Sequence, residues 1–245
     1  MSVTPLLEVK DVSVLFGGLR AVDDVTLSAE HAQVTGLIGP NGAGKSTLLS
    51  VVSGLQRPNS GTVRMGDVLL GGLAPHARAR LGMSRTFQRL ELWHSMSVRR
   101  NIRTAAEFAQ SWKPQLSPDE KTEALLDRLA LRSVADVPTS ALPSGIARVA
   151  EVARALASEP QLLLLDEPSA GLDSFEADRL TETISAVARD GTAVVLVEHH
   201  MEMVMRACAH IWVLDFGRVI ASGTPADIRG SEAVQAAYLG AAHGL

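Results

Sequence analysis

A chain of 245 residues, 46% hydrophobic and 20% charged, has room for one domain or one domain with a subdomain, and too few charges for a disordered or coiled-coil chain. A formal net charge of -4 and a pI of about 6.0 leave no electrostatic footprint for nucleic acid, so none is expected as a partner. A single cysteine, Cys208, excludes an intrachain disulfide framework and fits a reducing compartment.

Aromatic residues are only 4%, so the apolar mass is Leu, Val, Ile and Ala, which suits parallel strands packed between helices. The opening "MSVTPLLEVKDV" lacks the basic and apolar regions of a signal peptide. The longest apolar runs, "QLLLLD" and "TAVVLV", fall far short of the roughly 20 residues of a membrane helix. A soluble protein is expected, one that works at a membrane only through a partner.

In chain order, "LLEVKDVSVLF" alternates apolar and polar residues with a slip at Lys10-Asp11, and "VTLSAE" continues as strand. "VTGLIGP" is an apolar strand ending in Gly-Pro, "STLLSVVSGL" has helical spacing, and "SGTVRMGDVLL" reads as a turn and a strand. From about Phe87 to Leu142 the character changes. "SVRRNIRTAAEFAQ" and "PDEKTEALLDRLAL" are amphipathic helices separated by "SWKPQLSP", a helical insertion. Then come the strand "QLLLLDEP", the helix "SFEADRLTETISAVARD" and the strand "TAVVLVEH", an order that predicts a parallel sheet. "IWVLDFGRVIASG" predicts a hairpin turning at Phe216-Gly217. Its "DFG" matches a kinase motif, but the kinase catalytic-loop and strand-lysine motifs are absent.

The strongest chemical signal is "GLIGPNGAGKSTLL". Gly39, Gly44, Lys45 and Ser46 satisfy G-x-x-x-x-G-K-[ST] between a strand and a helix, the context that gives the motif meaning. Glycines let backbone N–H groups approach phosphate oxygens, and the helix N-terminus adds its positive dipole end. Lys45 then supplies a charge to the β and γ phosphates, and the Ser46 hydroxyl a ligand to Mg²⁺. "LLLLDEP" ends a strand in Asp166 and Glu167, at the sheet edge where such folds bind ligands. Asp166 is expected to hold Mg²⁺, and Glu167 to orient or deprotonate the attacking water.

In motif order over nearly its whole length the chain resembles the ATP-binding cassette (ABC) ATPases. The resemblance implies a P-loop α/β core with an antiparallel β subdomain and a helical subdomain, in one domain spanning 1–245. The core and β subdomain would take 1–87 and 157–245, and the helical subdomain, with the signature segment, 88–156. It implies ATP and Mg²⁺ as ligands. ATP would be bound by Phe16, stacked on adenine, and by Gly39, Asn41, Gly42, Ala43, Gly44, Lys45, Ser46 and Thr47. Mg²⁺ would be held by Ser46, Asp166 and Gln88. Glu167, His199 in "VLVEHHM" and Gln88 in "RTFQ" would act on the γ-phosphate and water. Asp173 in "SAGLD" would cross to an opposite subunit, and His200 is a departure from the family's frequent Asp.

Within that family, "LFGGLRAVDDV", "RTFQRLELWHSMSVRRNI" and "SGTPADIRGSEAVQAAYLG" resemble ATP-binding subunits of branched-chain amino-acid importers. The "AYLG" ending also occurs in urea-uptake and lipopolysaccharide-export cassettes. A lipid or lipopolysaccharide exporter subunit and a non-transport ABC ATPase are the alternatives. Expected partners are a second ATPase subunit, identical or not, membrane permeases and, indirectly, a solute-binding protein. The place of work would be the cytoplasmic face of the membrane. The signature, LSGGQ in the family, reads "LPSGI" here: Pro143 replaces Ser, Ser144 the first Gly, and Ile146 Gln. Ser144 and Gly145 are the candidate contacts to the opposite subunit's ATP. All phosphate-loop-side residues look intact, so the resemblance predicts a heterodimer with unequal sites.

Overall fold

The computed structural model describes residues 4–242. Two sheets and a set of helices share two cores. The first sheet is antiparallel, in the order β2-β1-β4-β5, from β1 (Leu7–Phe16), β2 (Leu19–Ala29), β4 (Ser60–Met65) and β5 (Val68–Leu69). The slip at Lys10-Asp11 is a bulge: the β1–β2 register shifts between Val9 and Val12, and Asp11 takes a left-handed φ of 52°. A bulge restores the inward phase after the extra residue, so Val9, Val12 and Val14 are all fully buried.

The second sheet has the order β10-β9-β3-β8-β7-β6. Its strands are β3 (Val34–Ile38), β6 (Met83–Arg85), β7 (Leu162–Asp166), β8 (Ala193–Val197), β9 (His210–Asp215) and β10 (Arg218–Gly223). All neighbours pair in parallel except β9 with β10, the expected hairpin, whose turn residues Phe216 and Gly217 both have positive φ, as a two-residue turn requires. The apolar strands are buried on both faces and sort their residues by period two. On β7, Leu163 and Leu165 enter one core while Leu162 and Leu164 enter the other; on β8, Val194 and Leu196 oppose Ala193, Val195 and Val197.

One core lies between this sheet and the antiparallel sheet, with α1 (Lys45–Ser53) in it. The other is covered by helices: α3 (Val98–Gln110) and α4 (Pro118–Arg128) of the insertion, α5 (Ser144–Leu156), α6 (Ser174–Arg189) and α7 (Met201–Ala207). Ser97 and Ser117 cap α3 and α4 by accepting from Arg100 N and Glu120 N. The short α2 (Pro75–Arg80) and α8 (Pro225–Arg229) and the 11-residue α9 (Glu232–Ala242) complete the set. Among the described residues no helix is long and apolar enough to cross a membrane.

Candidate nucleotide site

The site is built where β3 and β7 end. After β3 the chain turns through residues 39–44 into α1, whose first residue is Lys45. Gly44 has φ 101°, and a Cβ there would stand 2.3 Å from the Ala21 carbonyl oxygen, so only glycine lets the loop lie against β2. Lys45 is buried, and its Nζ donates to the carbonyls of Gly39 at 2.7 Å and Pro40 at 2.9 Å. Burial holds the ammonium below lysine's ordinary range, and the charges of Glu167 and Asp166 offset part of that. The ammonium thus folds onto its own loop, close to two carboxylates and poised for a polyanion.

The cavity above the loop measures about 480 Å³. It is lined by Asn41, Gly42, Ala43, Gly44, Lys45, Ser46 and Thr47, with Phe16 and Glu167 at its rim. Phe16 is half exposed, free to present a face to a base. Sequence reasoning missed five walls of this cavity: Leu19, Arg20, Ala21, Phe216 and Gly217. Gly217 N donates to the Ala43 carbonyl at 3.1 Å, which seats the β9–β10 turn on the phosphate loop.

Across from the loop, Ser46 Oγ lies 3.5 Å from Asp166 Oδ1. The other Asp166 oxygen accepts from Arg85 Nη2 at 2.9 Å, and Arg85 Nη1 donates to Ser53 Oγ at 2.8 Å. Glu167 follows with φ 47°, a left-handed conformation that costs a non-glycine residue about 1–3 kcal/mol and is retained mostly at functional sites. Its N–H donates to the Val197 carbonyl at 2.9 Å, which ties this conformation to β8. Gln88 Nε2 donates to Glu167 Oε2 at 2.8 Å, and His199 Nδ1 stands 3.9 Å from the same oxygen. One carboxylate oxygen therefore accepts from the Gln88 amide and lies near the His199 imidazole, from segments 79 and 32 residues away along the chain.

Glu198, fully buried, is the residue behind this cluster that sequence reasoning missed. Its oxygens accept from Ser169 N at 2.8 Å, His199 N at 3.0 Å and His200 N at 3.2 Å. It welds the turn after β7 to the turn after β8. His200 has a local role: its Nδ1 accepts from Met203 N and caps α7. No cluster of three or more His, Cys, Asp or Glu suited to a metal occurs among the described residues. The oxygen set of Ser46, Asp166 and the Gln88 amide fits a hard ion such as Mg²⁺, which keeps few protein ligands and completes its shell with water and phosphate oxygens. A carboxylate held at 3.5 Å from the Ser46 hydroxyl, with Arg85 behind it, is the feature that supports the fit.

Two groups of expected site residues stand apart from this cavity. Asp173 caps α6, accepting from Glu176 N at 2.8 Å. Ser144 and Gly145 open α5 and are bonded to Glu176; Gly145 lines a separate cavity between α5 and α6. The α5 helix is fastened to the segment around Gln88 instead, as Arg148 Nη2 donates to the Gln88 carbonyl at 2.6 Å.

Residues 22–170 match the family described as ABC transporter, and residues 218–244 match the family described as Branched-chain amino acid ATP-binding cassette transporter. The chain is 37% identical to the high-affinity branched-chain amino acid transport ATP-binding protein LivG of Escherichia coli K12, covering 97% of this chain and 99% of the relative. It is 36% identical to BraF of Pseudomonas aeruginosa, a protein of the same description, over the same shares. In structure it is similar to the ADP conformation of an ATP-binding cassette of an ABC transporter, with a TM-score of 0.87 and 26% identity over 97% of this chain and 99% of that one.

Proposed function

Because the chain belongs to the ABC transporter family, as an ATP-binding and ATP-hydrolysing subunit, we propose that it powers the uptake of a small solute, a branched-chain or other amino acid. The substrate class rests on the descriptions of LivG and BraF and on the match of residues 218–244. The chain would work as one domain, with 88–156 as its helical subdomain, on the cytoplasmic face of the membrane. It would be joined there to permease subunits that a solute-binding protein feeds.

The observation that carries the catalytic reading is the convergence of Gln88 and His199 on Glu167 Oε2 beside the phosphate loop. Lys45 and the backbone of residues 39–44 bind the phosphates, and Phe16 holds the base. Ser46, Asp166 and Gln88 would hold Mg²⁺, which would neutralise phosphate charge. Glu167 takes the proton of the attacking water, with Gln88 and His199 orienting the carboxylate and the γ-phosphate. Positioning and charge stabilisation supply most of the rate.

The "LPSGI" segment further supports a heterodimer with unequal sites, since Pro143 offers neither a hydroxyl nor an N–H. A partner subunit with an intact signature would complete the fast site on this chain's phosphate loop. The test is transport and ATPase activity in the reconstituted complex, blocking the catalytic Glu of one subunit at a time. Leucine-stimulated turnover that falls mostly with Glu167→Gln supports the reading. Equal losses overturn the asymmetry, and no response to any amino acid overturns the substrate class.

A further inference from the structure

The start of α5 lacks a cap of its own: Pro143 is the N-cap and makes no side-chain hydrogen bond, and no acidic residue lies in the first turn. A carboxylate from another helix supplies it. Glu176, in the first turn of α6, accepts from Gly145 N at 3.0 Å through Oε1 and from Ser144 Oγ at 3.3 Å through Oε2. The approach is close: a Cβ on Gly145 would stand 2.7 Å from Glu176 Cδ and would push this flexible carboxylate aside. The same side chain reaches back to Asp173 N at 3.3 Å, completing the capping box of α6.

We propose that Glu176 is a positioning residue that occupies, in the separated chain, the donors of Ser144 and Gly145 needed by the opposite subunit's nucleotide, and that it turns to Arg179 when the pair closes. The proposal rests on the reading of Ser144 and Gly145 as the contacts to that nucleotide. A phosphate and a carboxylate cannot share these donors: both are anions, and a helix N-terminus favours one negative charge at close range. Closure therefore has to displace Glu176. Its destination is on the same helix. Arg179 lies three residues on, where i,i+3 side chains meet, and lines the same cavity of about 370 Å³ as Glu176. Among the described residues Arg179 enters no ion pair, while its neighbour Asp178 is paired with Arg206. Departure of Glu176 from Asp173 N also opens the capping box, so the Asp173 turn and the signature loosen in one movement.

The experiment measures the KM for ATP and kcat of the partner's site, the one that faces Ser144 and Gly145, in an assembled transporter whose other site is silenced by Glu167→Gln, with Glu176→Ala, Glu176→Gln and Arg179→Ala. A fluorescent-ATP titration of each isolated chain runs alongside. Glu176→Ala should lower KM roughly three- to tenfold at little change in kcat, because one competing anion is gone. Glu176→Gln keeps the shape and an acceptor but not the charge, and should lower KM less. Arg179→Ala should raise it. Binding to the isolated chains should not change, since their own phosphate loop is untouched. A structural cap would behave oppositely: an unchanged or raised KM in both Glu176 variants overturns the proposal. Failure of every chain, the native one included, to bind ATP would instead overturn the nucleotide reading beneath it.

Discussion

Arg85 Nη2 stands 2.9 Å from Asp166 Oδ2, with 9% and 7% of the two side chains exposed. The pair joins the ends of β6 and β7 behind the phosphate loop, and the Phe87 ring lies against the guanidinium at 5.0 Å. Removing one partner of a buried ion pair strands the other charge. Arg85→Ala should therefore destabilise the chain by about 3–5 kcal/mol and release Asp166 from its orientation. Denaturant unfolding reads the first effect, and Mg²⁺ dependence of ATPase activity the second.

Lys45→Ala should weaken ATP binding by roughly 10- to 150-fold, the equivalent of one charge-assisted contact worth about 1.5–3 kcal/mol. Lys45 Nζ also bridges two carbonyls, that of the buried Gly39 and that of the half-buried Pro40. The loss should appear in nucleotide titration, and a fall in thermal stability should accompany it, since the Gly39 carbonyl loses its lysine donor.

Phe16 is 49% exposed, so Phe16→Ala should change stability by no more than about 0.5 kcal/mol. If its ring stacks on adenine, the same change should cost ATP affinity about threefold to tenfold, and Phe16→Tyr should restore it. Titration of the two variants against ATP and inorganic triphosphate separates stacking from phosphate contacts.

The Cys208 thiol is pushed up to about 12 by burial and then by the charge of Glu198. It should stay protonated from pH 7 to 9 and be inert to thiol reagents in the native chain. Labelling should appear only on unfolding, at a rate that follows denaturant rather than pH.

The phosphate loop was legible because its motif has fixed spacings, and Gly44 shows one physical demand behind them, the close approach of the loop to the Ala21 carbonyl of β2. The double-sided strands were legible because β7 and β8 are uninterrupted apolar runs, and the bulge at Asp11 because it breaks an alternation. Arg85 was not, since β6 has three residues and the ion pair spans 81 positions. Glu198 read as a polar strand end; only the fold shows three N–H groups closing on it. Phe216 and Gly217 were readable as a turn, but their place in the cavity wall depends on a bond to Ala43 that no local pattern encodes. Glu176 was hidden in the same way: a capping-box glutamate has an obvious local use, and its second use on α5 exists only in three dimensions. The short helices α2, α7 and α8 went unassigned because so few turns leave little periodicity, and α9 because its alanine-rich sequence shows no distinct apolar stripe.

The central claim is that Glu167 is the base of an ATP-hydrolysing site. Glu167→Gln keeps the volume and can still accept from the Gln88 amide, yet it cannot take a proton from water. The deciding measurement is ATP binding and single-turnover hydrolysis of this variant in the assembled transporter. Native-like affinity with hydrolysis at this chain's site slowed by about 100-fold or more is the predicted result, the size of a general-base contribution. Hydrolysis at the native rate would place the base elsewhere and contradict the account.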